Sequence, residues 1–415
     1  MQFERFIAKR FLPRGRKNPE AGLTRKSMSA PLVDIAVSSI ALGVLVMVVS
    51  VCVLRGFQGE IRRKAVGFGA HMVVKSFDMG NTYEETPVAT DRPEVQRIRD
   101  IKGVKHLQFF AEKGGMVKTE EQIHGIIYKG MDCNCDSSFF ADCLIEGRLV
   151  RFSDGVPSND VIVSRTVANK LKLQLGDKLR TYFWHGDTYR PRAFTVCGIY
   201  NTDLTDFDEH YVMGDLRQVQ QLNGWDSNQV AGYEVTVEDF SRLDEVSQAV
   251  LPVLGYDLTL TTIVEQYPAL FSWLDLLDSN IFLIIAIMLL VGVVSVVSAL
   301  LIIIFEKTST IGVLKALGAT NGSVRRIFLI KAAGIVVQGI VIGDAVALLL
   351  CWIQHRFALI QLDSESYSMS SVPIDLNGWI FVAVSVGTLA VCVAAMLLPA
   401  AYISNVEPAK TIKIN

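Results

Sequence analysis

The chain has 415 residues, half of them hydrophobic and a fifth charged, with 40 basic against 42 acidic side chains. That balance offers no field for a nucleic-acid partner, and no basic patch interleaved with aromatics is present. So much apolar sequence beside so much charge excludes a purely soluble domain. It fits a membrane protein with a substantial water-exposed part.

In chain order, residues 1–30 are a basic lead-in carrying Arg5, Lys9, Arg10, Arg14, Arg16, Lys17, Arg25 and Lys26. The apolar run Leu32–Leu54 predicts a first transmembrane helix over 31–55. It begins too far from the N-terminus, and is too long, for a cleavable signal, so a retained signal anchor is expected.

Residues 56–279 then read as a water-exposed α+β domain. Short strands are predicted at His71–Phe77, Val104–Phe110, Gly115–Thr119, Ile123–Tyr128, Val161–Val163, Lys178–Phe183, Ala193–Ile199, His210–Met213 and Tyr233–Val237. Helical patterns fall at Pro93–Ile101, Arg165–Lys172, Leu216–Leu222 and Asp239–Leu251. Strands and helices mix without strict alternation, which favours α+β over a doubly wound sheet. Ile263–Ser279 reads as a helix running straight into the next span, and Arg55–Gly67 as an outward continuation of the first.

The runs Ile281–Phe305, Ile327–Ile353 and Trp379–Ile403 predict transmembrane helices over 280–305, 327–353 and 379–403. About 25 helical residues rise ~37 Å, against ~30 Å of hydrocarbon. Between them lie a segment at 306–326, a loop at 354–378 and a tail at 404–415. Lys307, Lys315, Arg325, Arg326, Lys410 and Lys413 join the N-terminal cluster in one set of flanks, while the 354–378 loop carries Asp363, Glu365 and Asp375 against Arg356. The positive-inside rule therefore puts both termini and the 306–326 segment in the cytoplasm and 56–279 outside. Arg62-Arg63-Lys64 is a local exception just beyond the first span.

The segment Glu306–Ala319 is the most informative stretch. Ile311, Leu314 and Leu317 recur at helical spacing, with Gly312, Lys315 and Ala319 on another face and Gly318 at a left-handed C-cap position. So short a helix is marginal alone and needs a dock. In the third span Asp344 follows Gly339 and Gly343, a small-xxx-small pattern. An ionisable group at that depth reads either as functional, facing protein or water, or as a carboxyl bonded to a neighbouring Ser or Thr. Cys133, Cys135, Cys143 and Cys197 leave disulfides, unpaired thiols and a metal site open, with spacing that misses the usual zinc pairs. The acidic run Asp203, Asp206, Asp208, Glu209, His210 misses the calcium-loop spacing and reads as a solvated turn. No phosphate-binding GxxxxGK[ST] loop, GxSxG elbow or HExxH is present, so no enzymatic chemistry and no cofactor are expected on this chain.

Several stretches carry a family resemblance. Phe6-Ile-Ala-Lys-Arg-Phe-Leu12, Gly56-Phe-Gln-Gly-Glu60, Gly67-Phe-Gly-Ala-His71, Leu175-Gly-Asp-Lys-Leu179, Phe194–Tyr200, Glu306–Ala319, and Pro399-Ala400 with Glu407–Lys410 resemble the FtsX/MacB-type ABC permeases, most closely the LolC/LolE lipoprotein-releasing family. The resemblance implies a MacB-like periplasmic core domain between spans one and two. It makes Glu306, Lys307, Ile311, Gly312, Val313, Leu314, Lys315, Leu317 and Gly318 a coupling helix for an ABC ATPase dimer that holds ATP and Mg. Thr310 stands where family members usually carry a second glutamate. A second permease chain, lipoprotein cargo, a periplasmic carrier and an inner-membrane location are implied in turn. MacB-like efflux of small molecules or peptides, and an FtsX-like scaffold regulating a cell-wall hydrolase, are the alternatives.

Overall fold

The computed structural model describes residues 29–77, 85–119, 122–152, 155–185, 188–362 and 369–402. The basic lead-in over 1–28, the loop acids Asp363 and Glu365, and the tail Glu407–Lys410 lie outside the described residues. The chain divides into two compact units: Met1–Phe57 with Trp273–Ile360 and Val372–Asn415, and Gln58–Ser272 with Gln361–Ser371.

The first unit is helical. Among the described residues four helices are long and apolar enough to cross a membrane: Ser29–Gly69, Pro268–Glu306, Asn321–Phe357 and Gly378–Tyr402. Their core follows a four-residue period. On the first helix Ala36, Ile40, Val44, Val48 and Cys52 are all buried, and on the third so are Gly339, Gly343, Ala347 and Cys351. A Cβ on Gly339 would meet Ile40 Cβ at 2.7 Å, and one on Gly343 would meet the Ala41 carbonyl oxygen at 2.6 Å. Only glycine allows these two backbones to lie so close.

The second unit is a mixed α+β domain. Its strands are β1 (Met72–Ser76), β2 (Val88–Ala89), β3 (Val104–Lys118), β4 (Ile123–Met131), β5 (Leu144–Gly147) and β6 (Asp160–Ser164). There follow β7 (Lys178–His185), β8 (Thr188–Tyr200), β9 (Tyr211–Asp215), β10 (Gln229–Val230), β11 (Gly232–Val237) and β12 (Leu258–Thr262). Ten strands form one sheet in the order β12-β1-β11-β3-β4-β9-β6-β8-β5, with β7 pairing both β3 and β8. The pairing path β3-β4-β9-β6-β8-β7 thus returns to β3 and closes a ring of strands. The fully buried Tyr128, Phe183 and Phe194 pack as a trio, with ring centroids 4.9, 6.0 and 6.1 Å apart. β4–β9 and β6–β8 are parallel and the other pairs antiparallel, a mixture suited to α+β.

Two expectations change here. The strands expected at Val104–Phe110 and Gly115–Thr119 are one: β3 runs through both, pairing β11 before Gly114-Gly115 and β7 from Gly115 on. A Cβ at Gly115 would fall 2.9 Å from the Phe183 ring, so the glycine permits the close approach that closes the ring. The acidic run is not wholly solvated either. Asp208 is 2% exposed and accepts from the Thr202 amide (3.0 Å) and hydroxyl (2.8 Å), ordering the turn; burial pushes its carboxyl up to about 6. Cys133, Cys135, Cys143 and Cys197 are all unpaired.

Candidate functional site

The second long helix ends at Glu306, and Lys307 (φ −100°, ψ 13°) breaks it before a separate short helix, Thr308–Ala316. The Thr308 hydroxyl donates back to the Ile304 and Phe305 carbonyls at 2.9 and 2.8 Å, taking up two acceptors that the break leaves exposed. At the other end Gly318 adopts φ +93°; its amide bonds Lys315 O, and the Ala319 amide bonds Leu314 O, both at 3.0 Å. These two bonds make a Schellman cap, which explains why glycine stands there. Thr320 then caps the third long helix through Ser323 N at 3.3 Å. The connector is therefore a discrete rod, set off by a break at one end and a cap at the other.

Its faces are not divided as the spacing predicts. Ile311 is fully buried, Gly312 is buried, and Leu314 is half-buried; Ile311 and Leu314 line one small cavity with Ile303, Val324, Ile327 and Phe328. Those two apolar residues anchor the connector to its own bundle, so they are not an exposed docking face. The outward apolar surface is Val313 and Leu317, 51% and 80% exposed, beside Ala316 and Gly318, with Lys315 half-buried. Glu306 and Lys307 form a 3.4 Å ion pair, a contact worth little in water. The physical reason for the difference is the tight turn into the third helix, which claims one apolar face for packing.

Asp344, Gly339 and Gly343 come together with two different neighbours. The glycines face the first helix, whereas Asp344 Oδ2 accepts from Ser385 Oγ on the fourth at 2.6 Å. The carboxyl thus faces protein and bonds a neighbouring helix's serine, an arrangement that both sequence readings allow.

The outer ends of the first two long helices are held inside the second unit by residues that the sequence did not single out. Phe68 lies within 4.6–6.3 Å (ring centroids) of Phe139, Phe140, Tyr200, Phe207 and Tyr211. The buried Lys129 ammonium on β4 donates to the Phe68 carbonyl and to Glu234 on β11, itself bonded by Gln108 at 2.7 Å. A cation on the last carbonyls of a helix is favourably placed against the helix dipole. A lysine within the otherwise apolar run Ile126–Met131 was the available signal. The second long helix starts beside the same cluster. A Thr262–Glu265 capping box opens the short helix Ile263–Gln266, and Tyr267, where the chain breaks before Pro268, lies 5.3 Å from Phe207. Phe271 stacks on Phe240 at 5.9 Å.

Two family models match this chain: the MacB-like periplasmic core domain over residues 35–253, and the FtsX-like permease C-terminal over residues 282–408. With more than half of its length matched, the chain belongs to the ABC transporter permeases of the FtsX/MacB type. Within that class it is similar to the lipoprotein-releasing system transmembrane protein LolC of Neisseria meningitidis, 22% identical over 91% of this chain and 93% of the relative. It is also similar to the LolE protein of Haemophilus influenzae, 22% identical over 98% of each. Among solved structures, the periplasmic region of MacB from Actinobacillus actinomycetemcomitans covers 49% of this chain and 94% of its own at 12% identity, with a TM-score of 0.33.

Proposed function

We propose that this permease sits in a bacterial inner membrane with both termini cytoplasmic and couples a separate ABC ATPase dimer to the release of lipoproteins. The ATPase would hold ATP and Mg, and closure of its dimer would push on the connector. A two-fold motor calls for two permease chains, identical or related. The cargo would be taken from the outer leaflet and passed to a periplasmic carrier; the relatives that carry the lipoprotein-releasing name support that choice.

The observation that carries the reading is the connector itself. A capped rod with Val313 and Leu317 turned outward is fixed by Ile311 to the bundle core. The helices flanking it are uninterrupted from Pro268 to Glu306 and from Asn321 to Phe357. A push on Leu317 would therefore move long, stiff levers. Continuous helices transmit displacement, and the breaks at Lys307 and Gly318 localise the hinge.

Leu317→Asp tests this directly. The side chain is 80% exposed, so stability and insertion stay at wild-type level. Copurification of the ATPase and ATP-dependent release of an acylated protein from proteoliposomes are expected to fall by at least about tenfold, the effect of ~1.4 kcal/mol or more at a docking hot spot. Full release activity in that variant refutes the coupling role. Release of a small dye or peptide but no acylated protein refutes the cargo.

A further inference from the structure

The triplet Arg62-Arg63-Lys64 breaks the charge rule of its flank, and the structure shows where these cations go. Lys64 is buried and pairs with Asp203 at 3.7 Å. Arg63 is held by Glu60 at 2.9 Å and by Asp142 at 3.5 Å. Arg62 has no carboxylate among the described residues: its guanidinium stacks 5.0 Å from the Phe240 ring, and its buried Nε has no hydrogen-bond partner. Both Arg62 and Arg63 line a cleft of about 550 Å³, into which β3 brings Lys105, exposed and without an ion pair among the described residues.

The rest of that wall is of mixed sign. Asp136, Asp142 and Glu238 complete the charged lining, and Phe139 and Phe240 supply apolar surface. Asp142 is engaged by Arg63, and Asp136 accepts from the Ser138 hydroxyl at 2.6 Å; Glu238 has neither an ion pair nor a side-chain hydrogen bond among the described residues. His71 also lines the cleft but is uncharged at neutral pH, since burial lowers it to about 4.

We infer that this cleft binds a zwitterionic phosphodiester headgroup, its phosphate on Arg62 and Lys105 and its ammonium on the Glu238 side. A guanidinium that lines a cleft and has no carboxylate partner among the described residues is suited to a phosphate, whose oxygens take charge-assisted hydrogen bonds. A purely anionic ligand would face three carboxylates as well, whereas a headgroup with both charges meets a partner for each. The position is right for lipid. Arg62 lies eight residues past Leu54 on one unbroken helix, roughly 12 Å along its axis. Headgroups occupy about 6 Å beyond the hydrocarbon on each side, so a long arginine reaches the phosphate layer from there. The volume accommodates such a headgroup, within the usual range for small-molecule sites of ~300–1,000 Å³.

The probe is glycerophosphoethanolamine, a soluble headgroup without acyl chains, titrated into the purified full chain by calorimetry. Glycerophosphoglycerol and inorganic phosphate serve as comparison ligands. Wild type is expected to bind the ethanolamine probe most tightly. Arg62→Gln with Lys105→Gln is expected to weaken it about tenfold or more, the scale of one to two charge-assisted hydrogen bonds. Lys105→Gln alone, at an exposed position, keeps the test valid if Arg62 proves necessary for folding, and a several-fold loss is expected there. Equal binding by wild type and variants overturns the site. Inorganic phosphate binding as tightly as the ethanolamine probe overturns the headgroup assignment, and equal binding of glycerophosphoglycerol overturns the role of the ammonium.

Discussion

The two units hold an ionisable side chain in opposite ways. In the outer unit Lys129 and Glu234 are 4% and 2% exposed at the side chain, and each is met by further partners, the Phe68 carbonyl and Gln108. In the membrane unit Asp344 meets a single hydroxyl, Ser385, and packing falls to small residues, Gly339, Gly343 and Ala347. The outer core instead rests on its largest side chains, Tyr128, Tyr200, Tyr233, Phe183 and Phe194. The difference follows from the solvent each unit folds in. Water rewards burial of large apolar area, so a domain folded there can carry one desolvated ion pair. Lipid gives no such reward, and association there depends on close backbone contact and a few hydrogen bonds.

The largest effect is expected from breaking the outer pair on one side. Lys129→Met leaves Glu234 buried without its cation, a loss of about 3–5 kcal/mol. Lys129→Met with Glu234→Leu should recover much of it, because a well-packed apolar pair of similar volume is often neutral. Denaturation of the purified chain, followed by tryptophan fluorescence, separates the two. If the double variant stays as unstable as the single, the contact to Phe68 rather than the charge pair dominates. The matching disruption in the membrane unit is Gly343→Val. Its Cβ would sit 2.6 Å from the Ala41 carbonyl and 2.9 Å from Val44 Cβ, and overpacking of this sort costs about 1–3 kcal/mol. A cysteine cross-link between the first and third helices would weaken in step, and an unchanged cross-linking yield would mean that the seam can open without cost.

Much of this was legible in the sequence because the membrane supplies the rule. Four apolar runs, the Gly318 cap of the connector, the Gly339–Gly343 pattern and the α+β mixture all follow from local periodicity and composition. Legibility failed where the answer lay in long-range pairing. β3 reads as two strands, Val104–Phe110 and Gly115–Thr119, yet β7, over sixty residues away in sequence, pairs at Gly115 and needs that glycine to approach. β5 and β12 carry too little alternation to stand out, since each is an edge strand placed by a single neighbour, β8 and β1 respectively. In the connector, the spacing of Ile311, Leu314 and Leu317 marks an apolar stripe but cannot say which neighbour covers it. The turn into the third helix takes Ile311 and leaves Leu317.

A smaller effect is expected from pH, and it acts on the outer unit alone. His71 Nδ1 accepts from the Val237 amide at 3.3 Å, which requires the neutral ring, and burial lowers its pKa to about 4. The unfolded chain takes up the proton at about 6.5, so the His71 contribution is full above that value and falls as the pH drops toward 4. Linkage puts the His71 loss at roughly 1.4 kcal/mol near about pH 5.5, opposed in part by Asp208, whose carboxyl, raised to about 6, takes up its proton first in the folded chain and is common to wild type and variant. His71→Asn retains an acceptor and should flatten this dependence between those two values. A slope unchanged in the variant assigns the effect to another group.

The smallest effect tests the membrane side of the comparison. Asp344→Asn keeps an oxygen to accept from Ser385, so the contact survives, and intramembrane hydrogen bonds average only ~0.6 kcal/mol. Asp344→Leu removes the acceptor and strands the Ser385 hydroxyl, a loss of about 1 kcal/mol more. Thermal melts of both variants in detergent measure the order, and release assays test the proposed function. Were the asparagine variant as stable as wild type but inactive in release, a hydrogen bond would not suffice, and the carboxyl itself would be needed in the transport cycle. If both retain activity and differ only in melting, the group is a tie between the third and fourth helices, placed there because lipid offers so few other ways to specify a contact.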